Sequence, residues 1–212
     1  MSKGRLEAFS DGVFGVAITL LVLDVQPEGG TTGWAILLHQ WHHILVFVLS
    51  FFIVGVYWVA HHQMLHFIAA TNRIFLWLNL MMLLLIVFIP FTASVLSVNH
   101  ADPSSIRIYA ANLILINLTG TSMWAYAARN HRLMHPGVPD SFIRFVIRVH
   151  LGPLLIYSTA IALASWNRYV SLALLPIAPA FFTLPNPFLE KHGRHAMEAI
   201  REHEKKHPRP PE

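Results

Sequence analysis

Cysteine is absent from the chain, which excludes disulfides, thiolate nucleophiles and cysteine-ligated metals. Charge is nearly as scarce. Asp, Glu, Lys and Arg make up 12% of the 212 residues, against about 25% in soluble globular domains. That leaves too little polar surface to wet a water-soluble domain of this length. Phosphate-binding glycine loops and nucleophile–base–orienter arrangements are missing too, so enzyme chemistry finds no support.

What remains is apolar: 55% of the residues are hydrophobic and the mean hydropathy is +0.51. About 20 such residues cross a bilayer as a helix. The pattern predicts an all-α integral membrane protein with six spans, near 6–25, 41–67, 74–98, 105–128, 141–166 and 169–184. A short interfacial helix is expected over 31–40, with Trp34 and Trp41 at headgroup depth. The sixth span carries Pro176 and Pro179, which a membrane helix tolerates when kinked or re-satisfied by its neighbours. Lys3 and Arg5 before an apolar run suggest a signal peptide. Glu7 and Asp11 interrupt that run and no small-x-small site follows, so it reads as a retained first span. Residues 1–189 form the membrane domain in this reading, and 190–212 a charged, His-rich cytoplasmic tail, a solvated or membrane-surface helix that frays.

Basic residues fix the orientation. Thirteen Lys and Arg fall on the side of the two termini, and only Arg107 and Arg168 fall on the other. Positive charge is retained on the cytoplasmic side, so both termini are expected there. The net charge of +4 reflects this bias and not a nucleic-acid partner.

An ionisable side chain within a span is costly and marks a functional candidate. Arg5, Ser10 and Asp11 occupy the cytoplasmic third of the first span, and Asp24 lies roughly 20 Å beyond Asp11, near the opposite mouth. Between them Val16, Leu20 and Leu23 share one helical face, with Thr19 beside it. The stripe has two readings: a packing face against the rest of the bundle, or a hydrophobic constriction formed by several copies of the helix, with Asp24 as a cation-attracting ring. Spacing alone favours the packing face. Trp58, His61, His62 and His66 cluster at the cytoplasmic end of the second span, and Asn79 sits inside the third. His62 and His66 have a spacing that suits a metal, but a hydrogen-bonded network with Ser10 and Asp11 accounts better for the whole group. His39, His42 and His43 sit at the opposite interface, where they would be surface residues or sensors of external pH.

The run Arg5-Leu6-Glu7-Ala8-Phe9-Ser10-Asp11-Gly12 reads R-x-x-x-F-S-D-G at the start of the first span. It resembles the signature of the transmembrane protein 175 family, the endolysosomal potassium channel of animals and its shorter prokaryotic relatives. Ala17-Ile18-Thr19-Leu20, Trp58 with His61-His62, Asn79 and Phe88-Ile89-Pro90-Phe91 extend the resemblance; beyond the third span it amounts to little more than helix count and length. The resemblance implies a homotetrameric, potassium-permeable channel in a prokaryotic cell membrane, without a cofactor, whose first helix lines the pore. It also implies a hydrophobic constriction in place of a carbonyl filter, which agrees with the absence of T-V-G-Y-G. Carried over by position, Val16 is the first constriction residue, followed by Leu20 and Leu23, and Thr19 places hydroxyls beside the ion path. Val16 is one methylene smaller than the more usual Ile, which implies a wider neck. Arg5, Ser10 and Asp11, with Trp58, His61 or His62, and Asn79, would hold the first helix at the axis.

Two other functions compete. A proton-coupled carrier for a small cation would use Asp11 and the histidines as its relay. A haem protein needs histidine pairs on facing helices, and only His150 in the fifth span could face the second.

Overall fold

Apolar runs longer than twenty residues satisfy their backbone polar groups within themselves only as helices. The computed structural model describes residues 3–25, 32–99, 102–183 and 187–206, and these are helical nearly throughout. The helices are α1 (Lys3–Leu20), α2 (Gly33–His39), α3 (Trp41–His66), α4 (Arg73–Val87), α5 (Ile89–Val98), α6 (Pro103–Ala128), α7 (Asp140–Leu163), α8 (Arg168–Leu174), α9 (Ile177–Thr183) and α10 (Pro187–Lys206). Local signals set their ends. Asn72 accepts from the Phe75 amide at 3.0 Å to start α4, Asp102 caps α6, and Asn167 accepts from the amides of Tyr169 and Val170 to start α8.

Among the described residues, four stretches are long and apolar enough to cross a membrane: 3–23, 41–66, 73–98 and 140–163. Three expected elements differ in detail. The first span tightens into a 3-10 turn over Leu21–Asp24 and stops at Val25. The third divides at Phe88 into α4 and α5, because Pro90 has no N–H to offer the carbonyl one turn earlier. Asn112 of α6 compensates at this break by donating to the Leu85 carbonyl at 3.2 Å. The sixth is broken at Leu175-Pro176 into α8 and α9, and residue 184, its expected end, lies outside the described residues.

The long helices alternate in direction. Arg107, near the start of α6, donates to Ser165 beyond the end of α7 at 2.7 Å, and Asn72, before α4, donates to Tyr126 near the end of α6 at 2.8 Å. One end of the bundle therefore gathers the start of α1, the end of α3, the starts of α4 and α7, and α10. At that end the Ala69 amide donates to the Leu133 carbonyl at 2.7 Å, tying the α3–α4 loop to the α6–α7 loop. Gly137 holds φ +93° there, and a Cβ on it would lie 2.7 Å from His203 Cβ of α10, so the turn closes only on glycine. The boundary expected at 190 falls within α10, which is docked by buried Ala196 and Ile200.

The core centres on α6. It is as long as the spans but less apolar, and Tyr109, Ala110, Leu113, Ile116, Met123 and Trp124 are all buried. Thr119, Thr121 and Ser122 return their hydroxyl protons to carbonyls one turn back, each at 2.7–2.8 Å. Tyr57 of α3 donates to the Leu113 carbonyl at 3.2 Å, and Ser50 lies 2.8 Å from the Tyr109 hydroxyl. On the side turned to its neighbours α6 carries buried Asn112 and Asn117, whereas Ile108, Leu115 and Leu118 on its other side are exposed.

Candidate functional site

The first helix has two faces of opposite character. Leu6, Ser10, Phe14, Ala17 and Leu21 recur at helical spacing, and each is at most 1% exposed. They turn toward α3, α4 and α5, which pack on α1. Roughly a third of a turn away, Arg5, Phe9, Gly12, Val16, Leu20 and Leu23 form a second stripe, uncovered along the whole helix. Val16 is 54% and Leu23 59% exposed. The Val16–Leu20–Leu23 stripe is therefore not the packing face that spacing alone favoured. The adjacent face does the packing, and a stripe count cannot tell two apolar faces apart.

Thr19 borders the uncovered stripe. Its hydroxyl donates to the Val16 carbonyl at 2.8 Å, which fixes the rotor and leaves the oxygen lone pairs free as acceptors. Asp24 ends the 3-10 turn, and its side chain lies outside the described residues.

The polar residues around the N-terminal part of α1 divide into two linked sets. In the buried set, Asn79 donates through Nδ2 to Ser10 Oγ at 3.1 Å and accepts at Oδ1 from the His61 ring at 2.8 Å. One amide thus joins α1, α3 and α4 and uses both of its ends. The acceptor role of Oδ1 assigns the proton to His61 Nε2. Phe14 lies beside the His61 ring with centroids 5.6 Å apart. In the outer set, Trp58 Nε1–H donates to Asp11 Oδ1 at 2.8 Å. The Trp58 ring stacks on His62 at 5.8 Å, and His62 meets His66 nitrogen to nitrogen at 3.2 Å. That contact needs a proton on one ring and a lone pair on the other. Among the described residues no cluster of three metal-ligating side chains occurs, so the His62–His66 pair stands without a third ligand.

Of the residues expected to cooperate, the structure joins Ser10, His61 and Asn79, and separately Asp11, Trp58 and His62. Arg5 belongs to neither set. It is exposed and, among the described residues, makes no ion pair or hydrogen bond; it lies instead on the uncovered stripe with Phe9 and Gly12. A signature motif read as a single unit in sequence thus divides between two faces of one helix. Glu7 is met by Lys3 at 3.7 Å.

Sequence reasoning missed the second buried polar cluster, Ser50, Tyr57 and Tyr109 between α3 and α6. Its signal was present: Ser50 and Tyr57 share a helical face in the middle of a span, seven residues apart.

A family model described as endosomal/lysosomal potassium channel TMEM175 matches residues 5–90. A potassium channel of Streptomyces collinus is 33% identical over 199 residues, covering 89% of this chain and 96% of that protein. A potassium channel of Chamaesiphon minutus is 32% identical over 190 residues, covering 85% and 93%. The crystal structure of a lysosomal potassium-selective channel TMEM175 homolog from Chamaesiphon minutus superposes with a TM-score of 0.75 at 29% identity, covering 86% of this chain and 96% of that one.

Proposed function

The chain belongs to the TMEM175 family of endosomal/lysosomal potassium channels, and from that premise we propose that it is a potassium-permeable, cation-selective channel in which copies of α1 enclose the pore. It is an integral membrane protein and not an enzyme. The observation that carries the pore assignment is the uncovered apolar stripe of Val16, Leu20 and Leu23, on a helix whose neighbouring face is fully packed. One stripe on one helix bounds no path, whereas four copies around an axis, a homotetramer, do so.

The proposed mechanism follows from the two faces. The bonds of Ser10, Asn79 and His61, and that of Trp58 to Asp11, hold the cytoplasmic third of α1 against its own subunit. That anchoring fixes which face meets the axis. Leu20 and Leu23 then form an apolar neck that gates by dewetting, and Val16 sets its inner width. Thr19 presents hydroxyl lone pairs beside the neck, and an acceptor ring of this kind favours cations. Arg5 and Phe9, on the same uncovered face, meet the neighbouring copy at the cytoplasmic mouth. Asp24 supplies the outer ring. In this reading α6 and the α8–α9 pair also cross the membrane, giving six spans with both termini cytoplasmic in a prokaryotic cell membrane. No cofactor takes part.

Ion flux through purified protein in liposomes tests the function, with potassium and then sodium as the sole permeant cation. Potassium flux exceeding sodium flux, without any need for a pH gradient, is the expected outcome. Flux that requires a proton gradient would replace the channel by a proton-coupled carrier relaying through Asp11, His61 and His62.

A further inference from the structure

The buried network that holds the first helix uses Ser10, Asn79 and His61, and the outer bond joins Asp11 to Trp58. His62 and His66 contribute no bond to either. They meet each other instead, on the exposed side of the last turns of α3.

Their geometry suits a shared metal ion. The two Nε2 atoms lie 3.2 Å apart, and the ring planes cross at 86°. Imidazole nitrogens bind transition metals at about 2.0–2.1 Å, so two of them at this separation subtend roughly 100–106° at a common ion. That angle falls between octahedral and tetrahedral values. A small turn of two exposed side chains is enough to aim both lone pairs at one point. The existing contact opposes this little, because it sets one Nε2 proton against the lone pair of the other Nε2. Moving that proton to Nδ1 of its own ring frees both Nε2 atoms, and no proton is lost.

Two features distinguish the pair from other histidines one helical turn apart. The Trp58 ring stacks on His62 with planes at 23°, and Trp58 is itself held by Asp11 at 2.8 Å. A braced ligand gives up less side-chain freedom on binding. The Asp11 carboxylate also brings negative charge to the edge of that indole, which favours a cation nearby. His131, one turn before His135, turns its Nε2 to the Val138 carbonyl at 3.2 Å instead.

We propose that His62 and His66 bind a divalent transition-metal ion of the kind imidazole prefers, Ni2+, Cu2+ or Zn2+, through their two Nε2 atoms. Both side chains are exposed, so water completes the coordination shell. Among the described residues no third His, Asp or Glu joins them, which makes this an open, exchangeable site and not a closed structural one. The ion cross-links the last two turns of α3 and lies one ring away from the bond that holds Asp11. The inference depends on neither the ion path nor the number of subunits.

The test titrates Ni2+ into untagged full-length protein in detergent and follows binding by calorimetry and by tryptophan emission. His66→Ala, at an exposed position outside the buried network, should remove one equivalent of Ni2+ per chain or weaken it by at least about tenfold. His62→Ala should do the same. Bound Ni2+ quenches a neighbouring indole, and Trp58 is one of six tryptophans, so a loss of up to about one sixth of the emission is expected. That loss should vanish in His66→Ala, and in a Trp58→Phe variant that still binds the metal. Equal Ni2+ binding by the wild type and both histidine variants, no binding by the wild type, or the same quenching in an assembled Trp58→Phe would overturn the proposal. Both readouts follow the metal itself, so they test the site even in a protein that conducts no potassium.

Discussion

The two faces of the first span lie side by side on one helix and obey opposite rules. On the packed face each side chain is covered by the chain itself: Phe14 lies against His61, Ser10 against Asn79, and Ala17 is fully buried. On the uncovered face Phe9, Val16, Leu20 and Leu23 touch little of their own subunit. In the proposed channel, stability and conduction are therefore separable on one helix. Substitutions on the first face should cost folding, and those on the second should alter the passage of ions.

The largest effect is expected from Asn79→Ala, which removes both hydrogen bonds of the buried set and orphans Ser10 and His61. A loss of about 2 kcal/mol is expected, seen as poor yield and a lowered melting temperature in detergent. A variant that stays fully stable but loses ion selectivity would erase the distinction between the faces. This set was legible in sequence because polar residues at matching depth in apolar helices need one another. The Arg5 position was not, since the motif gives residue types and spacing but not which face of the helix each residue joins. Nor was the cavity of about 960 Å³ lined by α3, α4, α6, α7, α9 and α10, a joint property of six helices that no single stretch of sequence encodes.

Leu20→Ala sharpens the same comparison from the other side. It should leave the melting temperature of the protein nearly unchanged, within about 0.5 kcal/mol as for an uncovered site. It should also raise leak flux in liposomes and lower the potassium-to-sodium ratio, as should Leu23→Ala and Val16→Ala. Wild-type flux in all three would move the ion path elsewhere. The smallest effect is expected from Val16→Ile, which restores one methylene to the inner neck. A modest rise in potassium-over-sodium permeability is expected, and no change or poorer selectivity would show that the neck is not set there.

The breaks at Phe88 and Pro176 show how far sequence carries. Pro176 and Pro179 announced a kink, and the break appears at Pro176. Pro90 had the same power to divide its span but sits within so apolar a run that the stretch read as continuous. Asn112, arriving from another helix, makes that division tolerable.

The modest hydropathy of α6 has a consequence for how the protein is made. A segment bearing Asn112, Asn117 and a row of hydroxyls gains less from lipid than its neighbours do, and a translocon sorts nascent segments by that gain. Its partners emerge from the ribosome in a useful order. The Leu85 carbonyl that receives Asn112 and the Tyr57 hydroxyl that reaches Leu113 both precede α6 and are waiting when it is synthesised. In the proposed six-span arrangement, α6 is thus received in part by helices made before it.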